Sequence, residues 1–372
     1  MKQVLLLFFL SAFVTLSFAQ TVTGSFELEG FLRDYRLYLP ESYDGNTSFP
    51  LVFNLHGYTS DAAQQQLYSQ MDAVADEGQF LVCYPNGIDN QWNSGFGGAA
   101  NDVAFIDALI DTLLLSYNIN PDRIYSCGMS NGGYMSYKLA CELNDRIAAV
   151  ASVTGSMTPE EAMACMPGRP VPTLQIHGTL DAVVPYIGSV FSYSMDALID
   201  FWLANNGCAD EAVTYEVPNL NVVDGSTALR YTWSDCAPYS EVVFYKVEGG
   251  AHTWPGAAIP FAGTNYDFNA SAVIWDFFNK YKLEGIVDAT TTAKPEAKMI
   301  SVRPNPFLEE ICLQEVSGLV QLRLWDIYGR LMATTRQDGR DCWAVGQLQL
   351  PTGCYFLEVE SSEFTTIQTL VH

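Results

Sequence analysis

The stretch IYSCGMSNGGYMSYKLACEL, residues 124–143, decides how this chain folds. Ile124-Tyr125-Ser126-Cys127 is a short apolar strand, residues 134–143 carry a helical pattern, and Gly128-Met129-Ser130-Asn131-Gly132 lies between them. A sharp strand-to-helix turn forces its central serine into strained backbone geometry. The flanking glycines are needed because side chains there would collide. The turn exposes the serine Oγ and sets the following amides at a helix N-terminus, where negative charge is stabilised. Glycine-x-serine-x-glycine is common as a bare pattern; its position between a strand and a helix, after two earlier strands, gives it meaning.

Outward from that turn, residues 24–282 alternate short apolar runs with amphipathic stretches. Residues 26–39 alternate as a hairpin around Gly30, 51–55 form a buried strand ending at His56-Gly57, 62–75 a helix and 80–84 the next strand. Residues 102–117 place Val103, Ile106, Leu109 and Leu113 at helical spacing. Residues 147–153, 171–176 and 242–247 are further apolar strands, and 266–281 close the region as a helix. Helices between buried strands imply an α/β protein whose mostly parallel sheet is covered on both faces.

The flanks read differently. Residues 4–16 are almost uninterruptedly apolar behind Lys2, and Ser17-Phe18-Ala19 follows, which is the pattern of a signal peptide cut after Ala19. A membrane anchor is the alternative, but the run falls short of the about 20 residues a span needs. Residues 286–298 lack any apolar period and read as a linker, while 299–372 alternate like strands, with turn signals at Tyr328-Gly329-Arg330 and Pro351-Thr352-Gly353. The layout expected is thus a signal peptide over 1–19, an α/β domain over 20–285, a linker over 286–298 and a small all-β sandwich over 299–372.

Composition excludes several roles. With 42 acidic against 18 basic residues the net charge is −24, and −25 once Lys2 is removed, so a phosphate backbone is repelled and nucleic acid is a poor partner. Nine cysteines suit an exported protein, and their odd number leaves at least one unpaired. No Cys-x-x-Cys occurs and there are four histidines, so zinc spacing is absent and no metal is expected. Cys208 and Cys236 flank a polar, strand-like excursion; closing that loop is worth roughly 3.5 kcal/mol on the chain-entropy model. Cys141 with Cys165 is a second candidate pair.

A serine hydroxyl is a weak nucleophile and needs a base. On sheets carrying this elbow the chain order is serine, acid, histidine. His56 precedes the serine, His372 lies in the tail, and His177 precedes any acid on its own loop, so His252 is left, just after the 242–247 strand. The acid should follow an intervening strand; 171–176 is such a strand and Asp181 sits on its loop. Asp196, Asp200 and Asp210 are rivals, the first two in a helical pattern and the third without a preceding strand. Two amides should hold an oxyanion: that of Asn131, after the nucleophile, and one from His56-Gly57-Tyr58-Thr59, assigned to Tyr58. His56 is expected to bond loop backbone, and His177 to be a structural strand-end residue.

Gly128–Gly132, His177-Gly178-x-x-Asp181 followed by Val184-Pro185-Tyr186, and His252-Thr253-Trp254-Pro255-Gly256 together resemble the poly(3-hydroxybutyrate) depolymerase and feruloyl esterase group, close to carbohydrate esterase family 1. The likeness covers residues 24–282, and the string from His252 to Gly256 is its most specific piece. It implies an α/β-hydrolase fold, a catalytic triad of Ser130, Asp181 and His252, and no cofactor. It also matches the Cys208/Cys236 pair and Trp92-Asn93-Ser94-Gly95 before Asp102. Relatives often have cysteines near Gly95-Phe96-Gly97-Gly98, where this chain has none. Trp92 and Trp254 would lie near the pocket, either offering a flat apolar face to a sugar ring or aromatic acyl group, or packing in the core.

In the tail, Val302-Arg303-Pro304-Asn305-Pro306-Phe307, the 324–330 segment and the 350–356 segment resemble, in order, the C-terminal sorting domain of the type IX secretion system. A carbohydrate-binding or adhesive module is the alternative, and Cys312, Cys342 and Cys354 suggest a local disulfide. The expected protein is therefore an exported serine esterase, extracellular or at the cell surface, cleaving feruloyl or acetyl esters on plant polysaccharide. Its partners are that ester-bearing polymer and the secretion machinery. Polyester oligomers are the second substrate class, a peptidase is a weaker third, and a non-catalytic carbohydrate-binding protein is the rival from another class.

Overall fold

A computed structural model describes residues 19–286 other than 99 and 284, and the span 301–371 other than 304–309, 315–318, 327–330, 339–341, 346–349, 351–353 and 362–364. The expected signal peptide up to residue 18, most of the linker, residues 304–307 of the first tail motif, and the expected turns at 328–330 and 351–353 lie outside the described residues. The chain divides into two compact units, residues 1–287 and 288–372.

The first unit is built on strands β1 (Gln20–Leu28), β2 (Phe31–Leu39), β3 (Phe49–Leu55), β4 (Leu81–Pro85), β5 (Ile119–Met129), β6 (Ala149–Val153), β7 (Thr173–Gly178), β8 (Val213–Val217), β9 (Thr227–Trp233) and β10 (Val242–Glu248). They form one sheet of ten strands in the order β1-β2-β4-β3-β5-β6-β7-β10-β9-β8. The run from β4 to β10 is parallel, and antiparallel strands flank it at both edges. This is the α/β-hydrolase fold. The short pair β11 (Tyr281–Lys282) and β12 (Gly285–Ile286) ends the unit.

Alternation along the buried strands sorts the core into two faces. Leu51, Phe53 and Leu55 pack with α3 (Asp102–Ser116), α4 (Asn131–Glu142) and α6 (Met195–Asn206). Val52 points to the opposite face, with α2 (Met71–Gly78) and α7 (Ala270–Phe278). The helix expected over 62–75 is two, α1 (Ala62–Ser69) and α2, because Gln70 adopts a left-handed conformation (φ 51°) between them. Residues 266–269 do not join α7, which Asn269 caps by accepting from the Ala272 amide. α5 (Pro159–Ala164) is capped likewise by Thr158.

Disulfides join Cys141 to Cys165 and Cys208 to Cys236, as the sequence suggested, and Cys83 and Cys127 are buried free thiols. No helix among the described residues is long and apolar enough to cross a membrane.

The second unit has strands β13 (Ser301–Arg303), β14 (Glu310–Gln314), β15 (Leu319–Asp326), β16 (Leu331–Asp338), β17 (Cys342–Ala344), β18 (Cys354–Glu360) and β19 (Thr365–Val371). They make two antiparallel sheets, β13-β14-β17 and β16-β15-β18-β19. Ile311, Leu322, Leu324, Trp343 and Leu357 share one buried cluster, and Cys312–Cys342 bridges β14 to β17.

Candidate active site

β5 ends in the elbow. Ser130 has φ 54° and ψ −120°, a conformation held because its amide donates to the Val153 carbonyl (2.8 Å) and its carbonyl accepts from the Tyr134 amide (3.0 Å). A Cβ on Gly132 would come within 2.2 Å of the Leu55 carbonyl oxygen, so only glycine lets the first turn of α4 lie against the end of β3.

The expected acid and base meet. β7 and β10 are parallel neighbours, so the loops that leave their C-terminal ends emerge side by side. The Leu180 amide donates to the Gly250 carbonyl (2.9 Å), tying the two loops together. Asp181 Oδ2 lies 2.8 Å from His252 Nδ1. Its other oxygen accepts from the Val183 and Val184 amides, at 2.8 and 2.9 Å. Burial pushes the Asp181 carboxyl up, but the His252 hydrogen bond and charge and the Val184 amide outweigh it and hold the group below the usual value. Asp196 and Asp200 lie on α6, and of the four candidate acids it is Asp181 that bonds His252.

Ser130 and His252 line the same cavity of about 290 Å³, walled by Tyr58, Leu67, Tyr68, Ile259 and Phe261. On its other side Ser130 borders a second cavity of about 450 Å³, with Tyr58, Phe96, Asn131, Tyr134, Val183 and Phe191. Ser130 and Tyr58 thus stand where two lobes meet. The Thr59 amide is engaged with the Asn90 carbonyl (2.9 Å), which favours the Tyr58 amide as the second oxyanion donor.

Two other histidines, His56 and His177, bond the backbone around the site. His56 Nε2 accepts from the Gly87 amide (3.0 Å), which puts the ring proton on Nδ1, donating to the Gly57 carbonyl (2.8 Å). The Gly57–Tyr58 peptide is planar and trans, so fixing its carbonyl on the His56 ring aims the Tyr58 N–H the opposite way. His177 Nδ1 faces the Gln175 amide nitrogen (3.0 Å) and Nε2 donates to the Val184 carbonyl (2.9 Å), bracing the turn that feeds Asp181. Burial lowers both imidazoles below their usual range.

Trp92 and Trp254 require a correction. They are 1% and 0% exposed, so neither ring offers a face to a ligand. Trp254 Nε1 donates to Ser271 Oγ (3.2 Å) and its amide to Tyr68 Oη (3.1 Å), anchoring the His252 loop to α7. The aromatic surface at the cavities comes instead from Tyr58, Phe96, Phe191 and Phe261, each at least half exposed. Sequence reasoning missed the last three: their loops have no period, and which loop leans over the elbow depends on strand order.

Fold and site define an α/β-hydrolase carrying a serine elbow and an aspartate–histidine pair on adjacent loops. Residues 85–206, from the end of β4 to the end of α6, match the phospholipase/carboxylesterase family profile. The chain is 28% identical over 263 residues to the bifunctional acetylxylan esterase/xylanase XynS20E of Neocallimastix patriciarum, covering 70% of this chain and 35% of that protein. It is 32% identical over 191 residues to the probable feruloyl esterase C of Aspergillus clavatus, covering 50% of this chain and 65% of that one. To the feruloyl esterase D of Neurospora crassa it is 29% identical over 288 residues, covering 72% and 88%. The chain thus spans little more than a third of the length of the first of these relatives.

Proposed function

We propose that this chain is a serine carboxylic-ester hydrolase that works through an acyl-enzyme, cleaving feruloyl or acetyl esters on plant polysaccharide. The observation that carries the reading is the 2.8 Å bond from Asp181 to His252 on a cavity that Ser130 shares. Asp181 holds the proton of His252 on Nδ1, which leaves Nε2 free to accept the Ser130 hydroxyl proton as Oγ attacks the ester carbonyl. The tetrahedral oxyanion is held by the amides of Asn131 and Tyr58. His252 then returns the proton to the departing alkoxide, and a water, deprotonated by the same imidazole, releases the acid and restores Ser130. The names of the three relatives favour an aromatic or acetyl ester on polysaccharide.

Hydrolysis of polyester oligomers is the second reading, favoured by exposed apolar side chains at the cavity mouths: Leu67, Val183 and Phe191. Export, and sorting through the tail, rest on the sequence patterns; three disulfides suit an oxidising compartment. Incubation with p-nitrophenyl acetate, unsubstituted chain against Ser130→Ala, tests the enzyme reading, and equal rates would end it. Rates on methyl ferulate, acetylated xylan and hydroxybutyrate oligomers rank the substrate classes.

A further inference from the structure

The ladder between β3 and β5 stops at the pair Leu55–Gly128. The amides assigned to the oxyanion lie beyond that point, Tyr58 on the loop after β3 and Asn131 at the start of α4, so sheet hydrogen bonds do not set their separation. Trp92 touches both segments. Its amide donates to Asn131 Oδ1 (2.6 Å), and Asn131 Nδ2 donates back to the Trp92 carbonyl (3.1 Å) and to Ser94 Oγ (2.7 Å). From the same residue, indole Nε1 donates to the His56 carbonyl (2.9 Å), two residues before Tyr58. His56, Trp92, Ser94 and Asn131 are all buried, so breaking one of these bonds strands a polar group away from water.

We infer that Trp92, clasped by the Asn131 side chain, is a positioning residue: a strut that holds the two oxyanion amides at their working separation where the sheet no longer does. The inference rests on the ester-hydrolase reading above and adds to it a residue that acts through backbone rather than by touching substrate. A misplaced donor costs transition-state binding and leaves ground-state binding nearly untouched, so the strut should register in kcat and spare KM.

The test uses the full chain with Trp92→Phe, which keeps a ring and removes the indole N–H, and Asn131→Asp, which keeps the acceptor for the Trp92 amide and removes both donations from Nδ2. With p-nitrophenyl acetate, kcat should fall about tenfold to a hundredfold. KM should stay within about twofold. Affinity for phenylboronic acid, which fills the oxyanion position, should fall alongside kcat, and amide hydrogen exchange should quicken at residues 56–59 and 130–132. Ser94→Ala, which removes one bond from Asn131, should move the same readouts less far, and it decides the matter if the other two fail to fold. A folded variant with unsubstituted kcat would overturn the strut, as would a loss of kcat with unchanged boronate affinity and exchange. If the unsubstituted chain hydrolyses no ester at all, the hydrolase reading falls, while the exchange rates still decide whether Trp92 links the two segments.

Discussion

The bond between Asp181 and His252 is where the chemistry and the electrostatics coincide. Asp181→Asn keeps the size of the side chain but lets the amide donate to Nδ1, which flips the imidazole to the wrong tautomer. We expect kcat to drop by about 10³–10⁴ with KM little changed, measured on p-nitrophenyl acetate. His177 and His56 carry a different consequence. Burial holds both imidazoles below the usual 6.5, so between that value and their native pKa the unfolded chain binds more protons than the folded one. Their contribution to stability is complete above pH 6.5, declines as the pH falls through that window, and levels off below the native values. His177→Gln should therefore lose less stability than the unsubstituted chain between pH 7.5 and 5, as measured by urea unfolding; equal losses would show that His177 does not titrate on unfolding.

At the scale of elements, the elbow depends on how closely α4 can approach β3. Gly132→Ala would drive a methyl group to 2.2 Å from the Leu55 carbonyl oxygen, a backbone atom that cannot swing away. The expected result is a loss of about 2–4 kcal/mol in chemical denaturation, with activity falling as the Ser130 turn shifts. The loop between Cys208 and Cys236 spans 28 positions and contains β8 and β9, one of the two antiparallel edges of the sheet. Replacing both cysteines by serine should cost roughly 3.5 kcal/mol on the chain-entropy model, visible as a lowered urea midpoint. Ester hydrolysis at low temperature should survive, since neither cysteine lines the two cavities at Ser130.

For the whole molecule, the division at residue 287 makes a direct prediction. The proposed nucleophile, base, acid and oxyanion amides all lie in the first unit, which has its own sheet and two-sided core. A chain of residues 20–287 should fold and hydrolyse p-nitrophenyl acetate with kcat within about twofold of the full chain, since a domain with its own core can fold alone. A severalfold loss in the truncated chain would show that the tail contributes to catalysis.

Much of this was legible from local pattern, and particular residues show where legibility stopped. The elbow, the strand before Asp181 and the loop carrying His252 could be read because each is announced by its own neighbours: two glycines around a serine, a run of apolar residues, a late strand. Trp92 could not. Its apolar ring and its place beside a pocket-forming loop suited a substrate platform as well as a core, and only packing decided between them, because burial is a property of what the rest of the chain lays over a residue. Asn131 shows the same boundary from the other side: the amide role proposed for it follows from standing next to Ser130, whereas the three bonds of its side chain depend on a segment nearly forty positions earlier being folded against it. By itself the sequence determined the fold class, and it singled out Ser130, Asp181 and His252 as the candidate triad, since these follow from short-range periodicity and chain order. Tertiary structure alone decided the shape of the two lobes, the side chains that wall them and the struts that hold the backbone amides. Those depend on which distant segments share a surface, and a linear pattern has no term for that.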